Sequence, residues 1–257
     1  MQLKPKKVLL IIAGTAFLIS AYSQPSKQFQ NQNHTWLSIN CNHRIAKNWS
    51  ILSDIHLRRT DFLAHNNFYF IRLGIGKEIN QQLSVAAGMG HMWLANRNEA
   101  TELFSNENRL YQEIQYRSAI QKIQIQNRLR IEERWQEKVI NFIPQREYRY
   151  STRIRYLAGI NIRLFKNSKL PLLSLSDEVM LQFGKHILYN TFDQNRLFAG
   201  IKQKINKQLS FDIGYMHVVQ QKLSGYQYSR NKTIRCYFYW KPEWKKAKTV
   251  PGTMNKI

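Results

Sequence analysis

Ile123-Gln124-Ile125-Gln126-Asn127-Arg128-Leu129-Arg130-Ile131-Glu132-Glu133-Arg134-Trp135 changes chemical character at nearly every step. Ile123, Ile125, Leu129 and Ile131 share one parity, and Gln124, Gln126, Arg128, Arg130, Glu132 and Arg134 share the other. Successive side chains of a strand point to opposite faces, whereas 3.6 residues per turn would scatter these charges around a helix. The stretch predicts a strand with one apolar and one charged face.

The flanking sequence repeats the pattern. Residues 107–118 set Leu110, Ile114 and Tyr116 against Glu107, Arg109, Glu113 and Arg117. Residues 148–163 set Tyr150, Ile154, Tyr156, Ile160 and Ile162 against Arg149, Ser151, Arg153, Arg155 and Asn161. Residues 172–183 set Leu173, Leu175, Val179, Leu181 and Phe183 against Ser174, Ser176, Glu178 and Gln182. Weaker alternation over 34–41, 49–58, 67–76, 83–94, 194–203, 209–219 and 231–240 brings the segments to eleven. An odd number makes the closing pair parallel, unusual in a single-chain bacterial barrel, so an even count of ten or twelve is expected. The fold class predicted is all-β: an antiparallel up-and-down transmembrane β-barrel of 10–12 strands.

The N-terminus predicts export. Lys4, Lys6 and Lys7 precede an apolar run over 8–19, and Ala21 and Ser23 place small residues ahead of Gln24. This is the three-part form of a cleaved signal, and the run is too short for a spanning helix, which needs about 20 residues. The domain reading is a signal peptide over 1–23, an N-terminal segment over 24–33, a barrel over 34–240 and a basic tail over 241–257. No later stretch is apolar over a helical span, so a membrane-embedded chain must cross as closed strands.

Losing Lys4, Lys6 and Lys7 leaves 36 of the 39 basic residues against 16 acidic ones. That balance alone suggests nucleic acid. Export and the spread of the charges along strand faces argue against it, and no nucleic-acid partner is expected. Cys41 and Cys236 share parity with apolar neighbours and read as two small side chains on the greasy face, although an oxidising compartment permits a bridge.

Period two leaves open which face is inside. Breaks over 42–48, 77–82, 118–122, 166–171 and 206–208 read as short, and those over 95–106, 136–147 and 220–230 as long. In transmembrane barrels short turns face the periplasm and long loops face outward. Trp36, Trp49, Trp93, Trp135, Tyr148 and Trp240 lie near strand ends, where an aromatic girdle sits. The charged face then lines the lumen as a ladder of Arg109, Glu113, Arg117, Arg128, Arg130, Glu132, Arg134, Arg149, Arg153, Arg155, Glu178 and Arg196. Such a ladder either fills a narrow barrel or makes an anion-selective or binding lining.

These segments also resemble a known family. Glu107-Asn108-Arg109-Leu110-Tyr111-Gln112-Glu113, Asn127-Arg128-Leu129-Arg130-Ile131-Glu132-Glu133-Arg134, Arg153-Ile154-Arg155-Tyr156, Asp177-Glu178-Val179, Phe192-Asp193-Gln194-Asn195-Arg196-Leu197-Phe198-Ala199-Gly200 and Gly214-Tyr215 are similar to the uncharacterised bacterial barrel proteins grouped as domain of unknown function 2490. The likeness runs from Trp36 to Trp240 and implies an outer-membrane barrel. It brings no activity, so these positions carry over only as family-typical interior residues. Ile234, Cys236, Phe238 and Trp240 resemble the aromatic-ended strand presented to the barrel-assembly machinery, here followed by the basic tail.

A search for chemistry finds no catalytic constellation and no metal-ligand spacing among the seven histidines. Asp212 and His217 are the nearest to a pair, and their separation of five places them on opposite faces. Gly74/Gly76 and Gly88/Gly90 lie inside strands rather than in a phosphate-binding loop. No cofactor is indicated. The functional expectation is an outer-membrane barrel in contact with membrane lipid, acting as a porin-like narrow pore or as a structural or binding barrel. The alternatives are an outer-membrane enzyme acting on lipid or protein, and a soluble periplasmic barrel binding an apolar ligand.

Overall fold

A computed structural model describes residues 26–98, 101–167 and 169–242. The segment read as a signal peptide and most of that read as a basic tail lie outside the described residues. Among the described residues are eleven strands: β1 (Gln28–Arg44), β2 (Trp49–Thr60), β3 (His65–Glu78), β4 (Leu83–Arg97), β5 (Glu102–Ile120), β6 (Ile123–Ile140), β7 (Ile143–Ile162), β8 (Leu172–Phe183), β9 (Phe192–Lys204), β10 (Leu209–Gln221) and β11 (Gln227–Trp240). Strands adjacent in sequence pair antiparallel, and the sheet closes on itself through β1 and β11.

The closing pair is parallel, from Gln28 opposite Gln227 to Cys41 opposite Trp240. This corrects the preference for an even count. A meander of eleven strands must leave its first and last strands pointing the same way, and a parallel ladder still pairs the backbone, so the barrel has no open edge. β1 begins at Gln28, within the segment read as preceding the barrel, because the polar residues 28–33 pair with β11 through their main chain.

The long loops are also corrected. The connections 141–142 and 222–226 are tight, β4 runs on to Arg97 and β5 starts at Glu102, and much of what reads as loop is strand. Residues 137–140 of β6 pair only with β7, around a two-residue turn in which Asn141 and Phe142 both have positive φ (48° and 68°). That is the primed hairpin geometry matching strand twist. The bulge between Glu137 and Val139 breaks the period-two pattern and sets Val139 and Ile140 side by side, so this hairpin does not read as strand in the sequence. The turns at 45–48, 79–82, 121–122, 163–171 and 205–208 share the end of the barrel where β11 finishes; the other connections share the end where β1 starts.

Large apolar side chains face outward: Ile55 is 60% exposed, Met89 61% and Ile114 51%. The interior is polar, with Asp54, Glu107, Arg130, Arg153, Glu178 and Asp212 all buried. Trp36 is a correction. It shares parity with His34 and Ser38 and is buried in the lumen, packed with Phe198, Met216 and Val218 rather than placed in a girdle.

Inside the wall, Gly74 faces Gly88 and Gly88 faces Tyr111, whose buried ring covers both. A Cβ on Gly88 would come within 2.9 Å of the Tyr111 ring and closer still to the β3 backbone. Gly88→Val is therefore expected to cost about 1–3 kcal/mol by overpacking, read as a lower urea midpoint with the slope unchanged.

Candidate functional site

The alternation in β5–β9 places guanidinium and carboxylate groups at successive levels of the lumen, and register sets their partners. Glu113 lies opposite Arg130, and Glu132 opposite Arg153. Arg130 donates from Nε to Glu113 Oε2 at 2.7 Å. Arg153 donates from Nε to Glu132 Oε2 at 2.9 Å and from Nη1 to Asp193 Oδ2 at 2.9 Å. Arg155 bridges two carboxylates, Glu132 Oε1 at 2.7 Å and Glu178 Oε1 at 2.7 Å. Glu178 also accepts from Arg128 Nη2 at 2.6 Å and from Arg196 Nη1 at 3.3 Å.

One layer further toward the β1-start end, Glu107, fully buried, accepts from Arg109 Nε at 2.6 Å and Arg134 Nε at 2.7 Å. Arg134 approaches Asp193 at 4.0 Å, which ties this layer to Arg153. Arg130 approaches Glu132 at 3.7 Å and Arg128 approaches Glu113 at 3.7 Å. Seven guanidiniums (Arg109, Arg128, Arg130, Arg134, Arg153, Arg155, Arg196) and five carboxylates (Glu107, Glu113, Glu132, Glu178, Asp193) thus form one connected network. Charge-assisted bonds of this kind are the strong ones, and shared partners offset the cost of removing each charge from water.

The family model described as "Protein of unknown function (DUF2490)" matches residues 33–229. The chain belongs to the DUF2490 family. No curated protein and no solved structure matches it. The matched span begins in β1 and ends in β11, so it contains the whole network of this DUF2490 barrel.

Ten of the twelve residues read from the sequence as a ladder belong to the network. Arg117 and Arg149 stand apart. Arg117 is exposed toward the end where β11 finishes and bonds to Gln115; Arg149 is half-buried and its Nε has no hydrogen-bond partner. The DUF2490 barrel also uses carboxylates beyond the ladder. Glu107 and Asp193 share the lumen parity of their strands, and that parity is the signal that finds them. Asp54 pairs with Arg72, and Asp212 accepts from Arg235 at 2.9 Å and from Tyr239 Oη at 2.6 Å.

A cavity of about 1340 Å³ runs through the interior, lined by network residues and by residues at both ends. Among the described residues no cluster of His, Cys, Asp and Glu is arranged to hold a metal. Asp212 points inward and His217 falls on the opposite parity. Cys41 and Cys236 are free thiols. What this arrangement can do chemically is hold fixed positive charge inside the barrel wall, where seven guanidiniums outnumber five carboxylates.

Proposed function

We propose that this DUF2490 protein is exported to the outer membrane and spans it as a barrel whose narrow, arginine-rich lumen favours anions. The observation that carries the reading is the inverted polarity: charged groups fill the inside while Ile, Leu and Tyr cover the outside. A charge on a lipid-facing position at mid-depth costs about 2–4 kcal/mol, and the apolar outer faces of β5–β8 avoid it. The same polarity disfavours a soluble barrel with a greasy interior.

The mouth where β11 ends supports anion preference. Arg117, Arg163, Lys202, Lys204 and Lys241 line it from β5, from the connection after β7, from β9 and from just past β11. Among the described residues none of the five has an ion-pair partner, and Glu78 beside them is held by Arg44 at 2.8 Å. Rings of Lys and Arg are how pores select anions. Assembly from the periplasm would proceed through β11, with its aromatic end, and leave this mouth on the periplasmic side.

The test is a planar bilayer with purified full-length protein. Discrete conductance steps are expected, with a reversal potential under a KCl gradient displaced toward chloride. Arg117→Gln with Lys202→Gln should move that potential toward zero without abolishing insertion. A second reading rests on the network itself, which packs seven guanidiniums into the waist: a structural or binding barrel that inserts and stays silent. A silent bilayer with normal insertion selects that reading.

A further inference from the structure

Network guanidiniums all have carboxylate partners; Arg58 does not. It is 8% exposed, lines the cavity near the end where β1 starts, and among the described residues makes no hydrogen bond or ion pair. Its guanidinium carbon sits over two rings, 3.3 Å from the centre of Trp36 and 4.3 Å from that of Phe68. These cation–π contacts hold the group in place and leave its N–H donors without a hydrogen-bond partner.

The surrounding groups lack partners too. His34 Nδ1, Trp36 Nε1, Ser229 Oγ and Asn231 Oδ1 are buried without one. With Arg58 Nε they make five of the ten such atoms among the described residues, so the deficit is local. The topology explains the gathering. Trp36 is directly opposite Arg58 across β1 and β2, while Ser229 and Asn231 reach the same corner across the parallel seam, where Asn231 faces Gln32 and Thr233 faces His34. All five side chains line the cavity.

Ordered water can satisfy single orphaned donors, but it leaves a buried guanidinium uncompensated, and buried charges are paired. The neighbouring carboxylate, Glu178, is already shared by Arg128, Arg155 and Arg196. We infer that Arg58, with the indole N–H of Trp36 and the hydroxyl of Ser229, forms a discrete site for one oxyanion, a carboxylate or phosphate group, entered from the mouth where β1 starts. The fork of Arg58 supplies the bidentate contact that such groups take. This deepens the anion-favouring reading and rests on it for its role, but binding does not require conduction.

Isothermal titration of the full chain in non-ionic detergent, with inorganic phosphate in one arm and acetate in the other, tests it. Saturable binding of one equivalent is expected in at least one arm. Arg58→Gln should weaken it about tenfold or more, equivalent to about 1.4 kcal/mol, while Arg230→Gln, on the outer parity of β11, should leave it unchanged. Arg58→Lys keeps the charge and loses the fork, so an intermediate loss is expected even if the Gln variant fails to fold. Failure of both anions to saturate, or equal binding by wild type and Arg58→Lys, overturns the site. The bilayer result stands apart: a silent barrel that binds phosphate keeps the site, and a conducting barrel that does not bind loses it.

Discussion

Glu178→Leu is expected to destabilise the barrel by about 3–5 kcal/mol, the loss seen when one partner of a buried ion pair is removed. Glu178 is buried and accepts from three guanidiniums, on β6, β7 and β9. Leucine leaves Arg196 without its carboxylate partner, Arg128 with Glu113 at 3.7 Å, and Arg155 with one of its three hydrogen bonds, to Glu132. The same three strands then carry three guanidiniums that no longer share an acceptor. Adding Arg155→Met should recover part of the loss, because replacing a buried charge by a well-packed apolar group of similar length removes the penalty. Glu78→Gln is the control. Its pair with Arg44 is half-exposed, so screening and side-chain entropy reduce its worth to about 0–1 kcal/mol. Urea unfolding in lipid vesicles, followed by tryptophan emission, reads all three variants. A Glu178→Leu midpoint within error of wild type would show that the network is not structural.

Leu129→Arg is the second large effect. Leu129 is 43% exposed, lies midway along the paired part of β6, and faces Ile114 and Tyr156 on the neighbouring strands. If that face meets hydrocarbon, arginine there costs about 2–4 kcal/mol. If it meets water, the substitution belongs with exposed surface changes, within about 0.5 kcal/mol. The two environments differ by more than the error of an unfolding curve. The expected outcome is a lower fraction of folded, heat-modifiable protein in vesicles than for wild type.

Much of this architecture was legible because the charged strands repeat one rule. In β6 each residue's parity states its face, and ten ladder residues follow from it without any knowledge of partners. Partners were not legible. Parity does not say that Glu107 serves Arg109 and Arg134, or that Asp193 reaches Arg153 across the end of β8, where a bulge between Met180 and Leu181 shifts the register. Trp36 lies close to a strand end, but its parity with His34 decides its place and puts it inside. Residues 28–33 do not read as strand because they carry almost no apolar side chain, and residues 137–140 do not because a bulge between Glu137 and Val139 breaks their alternation. Arg58 differs again: its sequence neighbours mark it as one more basic residue, and only the contact with the Trp36 ring and the missing acid set it apart.

The central claim is that the apolar face of the barrel touches lipid and the charged face does not. In a Cys41→Ser, Cys236→Ser background, single cysteines at Leu173, Ser174, Leu175 and Ser176 of β8 can carry an environment-sensitive fluorophore in vesicles with brominated acyl chains. Positions 173 and 175 are predicted to be quenched, and 174 and 176, on the lumen parity, to be spared. Quenching at 174 and 176, or at none of the four, would contradict the account.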